Sequence, residues 1–148
     1  MKKVLGIDIG GSKILGGVVK EDGTLLKVKQ VDTEAQKGKE TILANLFKVI
    51  DDLIAGENVD GIGIGSAGRI DYEKGTVVYA TDNLPGWTGT PVKGILEDKY
   101  GIEVAVDNDV NAAVLGEMWL GAGKGYRNIL MMTIGTGVGG AVVADNKL

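Results

Sequence analysis

The run Val4-Leu5-Gly6-Ile7-Asp8-Ile9-Gly10-Gly11-Ser12-Lys13-Ile14-Leu15-Gly16-Gly17-Val18-Val19 decides the fold. A short stretch that is apolar except at Asp8 reaches a turn at Gly10 to Lys13, and a second apolar stretch leaves it, which is the signature of a β-hairpin. A further turn at Glu21-Asp22-Gly23 leads into Thr24 to Val31, where Leu26 and Val28 alternate with lysines. Three strands in an antiparallel meander are expected.

The period then changes. Between Lys39 and Ile54, apolar residues recur at three- and four-residue spacing (Ile42, Leu43, Leu46, Val49, Ile50, Leu53, Ile54), as an amphipathic helix requires. Val59 to Ile64 reads as a buried strand, and Thr90-Pro91 as an N-cap and first-turn proline opening a helix that Gly101 closes. Glu103 to Val106 is a strand, Asp107-Asn108-Asp109 are three cap-type residues, and Val110 to Leu120 is helical, with Trp119 read as packing. The expected class is α/β, with a mixed sheet built from an antiparallel meander followed by β-α-β units. Gly121, Gly123 and Gly125 form a joint, so residues 1–120 are expected as one domain and 121–148 as the start of a second. There, Ile129 to Ile134 and Gly139 to Val143 flank Gly135-Thr136-Gly137-Val138 as another hairpin. Leu148 reads as the first residue of a returning strand, so the chain is expected to be a piece of a longer protein. The hairpin would then lack a partner in its own chain and either favour self-association or be poorly ordered, and a homo-oligomer is expected.

Composition narrows the chemistry. Of 148 residues, 25 are glycine and only two proline, a turn-rich folded domain rather than a linker. Cysteine and histidine are absent, which removes disulfides, thiolate zinc sites and imidazole bases from this chain. Proton transfer falls to a carboxylate, Lys or Tyr. A net charge of −4 argues against a nucleic-acid partner. The most apolar stretch, Ile129 to Ala144, is too short and too interrupted to span a membrane, and a cytoplasmic location is expected.

Two glycine turns, Gly10 to Lys13 and Gly135 to Gly140, each expose consecutive backbone N–H groups that no Cβ shields. Tight hairpins need glycine in any case, but two such turns with hydroxyls at Ser12 and Thr136 point to phosphate. Asp8, ending the first strand, is either a sheet-end residue bonded to a neighbouring N–H or, beside a polyphosphate, a holder of magnesium. An N-cap needs one residue, so Asp107-Asn108-Asp109 leaves two unexplained, and a carboxylate at the carboxyl end of a strand stands where open α/β sheets place ligands. Asp109 is the candidate general base, a role worth roughly 3 to 5 kcal/mol of barrier. Gly63 to Gly68 spells GxGxxG, but no helix pattern follows it, so a dinucleotide site is not indicated. Asn83-Leu84-Pro85-Gly86-Trp87 is either a surface turn with Trp87 folded onto the core or a loop whose amide meets sugar hydroxyls.

Taken together these segments resemble the N-terminal half of the ROK sugar kinases, of the actin-like ATPase superfamily. Asp8-Ile9-Gly10-Gly11-Ser12-Lys13 is similar to the family's first phosphate motif and Gly135-Thr136-Gly137-Val138-Gly139-Gly140 to its second. Gly63 to Arg69, Asn83 to Trp87 and Val106 to Ala113 are similar to its sugar-site segments. The resemblance implies a ribonuclease-H-like/actin-like ATPase fold and ATP-dependent phosphorylation of a hexose, glucose-like, with N-acetylmannosamine or fructose as other acceptors. It implies Asp109 as base, Gly68, Asn83 and Asn108 as sugar ligands, and Asp8 for Mg2+. Gly10, Gly11, Ser12, Lys13, Gly135, Thr136 and Gly137 are implied at the ATP phosphates. Ala67 stands where many members carry proline, and zinc would enter only with a C-terminal Cys/His motif. The alternative is a non-catalytic sugar- or nucleotide-sensing module. Because the first phosphate motif starts at Asp8, with no helix-turn-helix before it, a kinase is expected over a repressor.

Overall fold

The computed structural model describes residues 1–135 and 137–148. In chain order the elements are β1 (Lys3–Ile9), β2 (Lys13–Lys20), β3 (Leu25–Asp32), a 3-10 turn (Ala35–Lys37), α1 (Lys39–Ile54), β4 (Gly61–Ser66), β5 (Arg69–Asp71) and β6 (Thr76–Tyr79). They continue with α2 (Val92–Tyr100), β7 (Val104–Asn108), α3 (Asp109–Leu120), β8 (Ile129–Ile134) and β9 (Val138–Val143). Five strands share one sheet in the order β3-β2-β1-β4-β7. The meander β1-β2-β3 is antiparallel, whereas β4 and β7 join β1 as parallel strands. Parallel neighbours need crossovers, and α1 and the β5-β6-α2 excursion supply them. The mixed sheet is the expected one.

One face of this sheet carries the core. The stripe Ile42, Leu46, Val49, Ile50 and Leu53 of α1 is buried against Leu5, Ile7 and Ile9 of β1 and Ile14 and Val18 of β2. The period-2 alternation of β1 sends Gly6 and Asp8 to the opposite face. There α3 packs over β4, and its residues Val110 and Val114 form a second cluster with Ala141 and Val143 of β9. The β8-β9 hairpin therefore has a partner within the chain on one face, contrary to expectation. Its other face leaves Leu130, Met132, Ile134, Val138 and Val142 in water. A division at residue 120 remains a proposal, since α3 touches elements on both sides of it.

Several local expectations change. The fourth strand runs Gly61–Ser66 rather than starting at Val59, because Asp60 already ends the turn by donating its N–H to the Lys3 carbonyl at 2.7 Å. Thr90 does not cap α2: Pro91 holds that position, and the Thr90 carbonyl accepts from Val77 and Val92 while its side chain turns into the core. Trp119 is exposed, because α3 turns Val110, Val114 and Met118 toward β8-β9 and leaves Leu115 and Trp119 in water. Trp87, in contrast, is fully buried and donates from Nε1 to the buried Ser66 Oγ at 3.1 Å. That contact pins the 83–87 loop to the end of β4. Trp87→Ala should lower the unfolding free energy by about 3–5 kcal/mol in urea titration; a loss under about 1 kcal/mol would mean the loop is held by something else.

Candidate active site

The carboxyl ends of β1, β4 and β7 lie side by side, with Asp8, Gly65 and Asp107 on one rung of the sheet. Adjacent strands are about 4.8 Å apart, so the two aspartates flank a strand that presents no side chain between them. Into this gap comes the first turn of α3. A Cβ on Gly65 would sit 3.3 Å from both the Asp109 Cα and the Ala112 Cβ. Close helix-strand contact, not dinucleotide binding, accounts for glycine here.

The three cap-type residues divide their work. Asn108 is the N-cap, its Oδ1 accepting from the N–H groups of Val110 at 2.9 Å and Asn111 at 3.3 Å. Its Nδ2 donates to the Gly68 carbonyl at 2.8 Å, which ties α3 to the β4-β5 connection. Asp107 accepts from its neighbour's N–H at 2.6 Å and from Asn111 Nδ2 at 3.0 Å. Asp109 accepts from the Val110 N–H at 3.0 Å, so its carboxylate stands at the positive end of the helix.

A cleft of about 1000 Å3 opens in front of these groups. Gly10, Gly11 and Ser12 form part of one wall and Gly135, Gly137, Gly139 and Gly140 part of another, with Gly68, Asn83, Asn108 and Asp109 between. The Gly10 N–H closes its turn on the Lys13 carbonyl at 3.0 Å, and the Gly135 N–H on that of Gly137 at 2.9 Å. A Cβ on Gly11 would lie 3.2 Å from Asn83, so this turn and the Asn83 loop are in contact. Lys13 contributes its carbonyl, and its side chain is not part of the lining. Thr136 lies outside the described residues. Asp8 borders a second hollow of about 800 Å3, which shares Asp107 and Asp109 with the first. Gln36, Tyr79 and Thr81 also line the cleft without a signal in the sequence; Arg69 and Asn111 line it too and fall within the sugar-site segments, but carry no individual role there. For Asn111 a signal existed, the four-residue spacing from Asp107.

Water reaches Asp8, yet the surrounding walls crowd it. That partial desolvation, followed by the Asp109 carboxylate, pushes its pKa up. A cation would relieve both pressures. Magnesium fits such a place, since it commonly takes one or two carboxylates and completes its shell with water and phosphate. Among the described residues no three acidic or other metal-ligating side chains gather into a cage, and with no Cys or His in the sequence a zinc site of that type does not fit.

A ROK family profile matches residues 4–148. The chain belongs to the ROK family. It is 41% identical over 146 residues to a glucokinase of Thermotoga maritima, covering 99% of this chain and 46% of that protein. A xylose repressor of Caldicellulosiruptor bescii is 32% identical over 157 residues, covering 98% and 37%. Among solved ROK structures, a Streptomyces griseus glucokinase in complex with glucose and AMPPNP superposes with a TM-score of 0.89 at 37% identity, covering 98% of this chain and 45% of that one. The chain spans about half the length of the curated glucokinases it matches. Its structural neighbours include ROK sugar kinases of the actin-like ATPase fold. Among the described residues no helix is long and apolar enough to cross a membrane.

The pressure on Asp8 has a measurable sign. A carboxyl whose folded pKa lies above its unfolded one penalises folding once pH rises past the ordinary carboxylate range, and the penalty vanishes below it. Asp8→Asn should therefore match the parent chain's Tm near pH 3 and equal or exceed it at pH 7. A Tm at pH 7 more than about 2 °C below the parent, a substantial fraction of a kcal/mol for a chain of this size, would show that the carboxylate stabilises the fold instead.

Proposed function

We propose that the protein to which this chain belongs transfers the γ-phosphoryl group of ATP to a hydroxyl of a hexose, with glucose the first candidate. The observation that carries the reading is the single cleft shared by two glycine turns, the side chains of Asn83 and Asn108 and the Asp109 carboxylate. The glucokinase relatives and the neighbour complexed with glucose and AMPPNP support it.

In this reading the N–H groups of Gly11 and Ser12, and those that follow Gly135 in the second glycine turn, receive phosphate oxygens, since Gly10 and Gly135 use theirs to close the turns, while Asn83, Asn108 and Gly68 hold the sugar. Asp109 accepts the hydroxyl proton as the sugar oxygen, the one on C6 by family resemblance, bonds to the γ-phosphorus and the bond to the ADP oxygen breaks. The chain's contribution is mainly positioning, as phosphoryl transfer requires. Magnesium held at Asp8 would supply charge neutralisation on the phosphates. A homo-oligomer in the cytoplasm, with no nucleic-acid partner, completes the proposal.

A second reading, a sugar sensor without turnover, draws on the xylose repressor relative. One experiment separates the two. In the complete protein, a coupled assay should show sugar-dependent ADP release, and Asp109→Asn should lower kcat by about 100-fold or more while calorimetry finds sugar affinity little changed. Sugar binding with no turnover by the parent protein would select the sensor. A variant retaining more than about a tenth of kcat would remove Asp109 from the role of base.

A further inference from the structure

The first glycine turn is held from behind by a side chain that the scheme above does not use. Thr33, which directly follows β3, is fully buried and is not part of the cleft lining. Its Oγ1 donates to the Gly10 carbonyl at 2.6 Å, and its N–H donates to the Ser12 carbonyl at 2.9 Å. One residue thus engages carbonyls at both ends of the turn. The backbone of Thr33 is itself anchored to the core helix: Asn45 Nδ2, on α1, donates to the carbonyls of Asp32 and Thr33, each at 3.2 Å. Asn83 also closes on the turn, since a Cβ at Gly11 would lie 3.2 Å from both its Cβ and its carbonyl oxygen.

We infer that Thr33 is a positioning residue for phosphate binding, fixing the Gly10-Gly11 peptide so that the Gly11 N–H, and not the Gly10 carbonyl, faces the cleft. The inference rests on the phosphoryl-transfer reading and adds to it a residue that touches neither nucleotide nor sugar. In a trans peptide the C=O and the N–H that follows it point in opposite directions. Drawing the Gly10 carbonyl back onto the Thr33 hydroxyl therefore turns the Gly11 N–H the other way, where Gly10, Gly11 and Ser12 form the cleft wall. Among the described residues neither the Gly11 nor the Ser12 N–H has a protein acceptor. A peptide between two glycines turns over with no Cβ to hinder it. Turned over, this one would set a carbonyl lone pair against a phosphate oxygen. The approach of Asn83 leaves no room for a side chain at Gly11, so the freedom comes with the turn, and the buried hydroxyl removes it.

The test compares the complete protein with Thr33→Val, which keeps the shape and loses the hydroxyl, and with Thr33→Ser, which keeps the hydroxyl. The KM for MgATP and the KM for the hexose are measured alongside Tm, at a temperature where each variant is folded. The inference predicts that Thr33→Val raises the KM for MgATP about three- to tenfold, the bias that one neutral hydrogen bond supplies, while the KM for the hexose stays near the parent's. Thr33→Ser should bring the KM for MgATP back toward the parent's. If Thr33→Val does not fold, Thr33→Cys, whose thiol donates only weakly, carries the same comparison with a smaller rise. A proportional rise in both KM values, a fall in Tm with neither KM changed, or a Thr33→Ser protein as impaired as Thr33→Val would each overturn the inference. If the parent protein turns over no sugar, the kinase reading fails on its own. The dissociation constant of a non-hydrolysable ATP analogue, measured by calorimetry across the same variants, then decides the role of Thr33, and a parent that binds no analogue overturns it.

Discussion

The arrangement depends on how closely α3 can approach β4. Gly65 leaves the strand bare where the first turn of the helix crosses it, and that contact brings Asn108 and Asp109 over the carboxyl ends of three neighbouring strands. A side chain at this rung would lift the helix and with it the tie from Asn108 to Gly68. The same helix turns Val110 and Val114 toward β9, so one packing contact also sets where the second glycine turn stands relative to the first. The two glycine turns, Asn108 and Asp109 are thus positioned by elements that answer to a single close approach.

Rigidity on one face permits tension on the other. The α1 side of the sheet is dry and aliphatic, and packed cores of this kind hold their strands against local strain. On the opposite face Asp8 and Asp109 are near enough to repel and Asp8 is crowded by protein. Groups set against each other in a cleft are commoner at functional sites than elsewhere, and here the arrangement suits a centre that gathers phosphate and a cation. The Trp87-Ser66 hydrogen bond extends the rigid face under the Asn83 loop, linking the core to the wall of the cleft.

Much of this was legible in the sequence because periodicity and turn chemistry are local. The meander followed from the alternation around Gly10 to Lys13, and α1 from its three- and four-residue spacing. The glycine turns and the Asp107-Asn108-Asp109 cluster stood out because their residue types exceed what a turn or a cap needs. What was missed is non-local. Thr90 carries a cap residue's side chain, but its carbonyl is engaged by Val77 and Val92, which no window around Thr90 reveals. Trp119, late in α3, reads as packing in the sequence, whereas burial depends on which face of α3 meets the β8-β9 hairpin. Arg69 entered the cleft through the pairing of two short strands, β5 and β6, whose register the sequence does not announce.

The account stands or falls on where a sugar sits. The most direct measurement is a crystal structure of the complete protein with a phosphorylatable sugar and a non-hydrolysable ATP analogue. The account predicts a sugar hydroxyl within about 2.6–3.2 Å of an Asp109 carboxylate oxygen, the reach a proton transfer requires, with the terminal phosphate against the N–H groups of the two glycine turns. A sugar bound away from Asp109, or phosphates held outside the Gly10 to Ser12 turn, would contradict it.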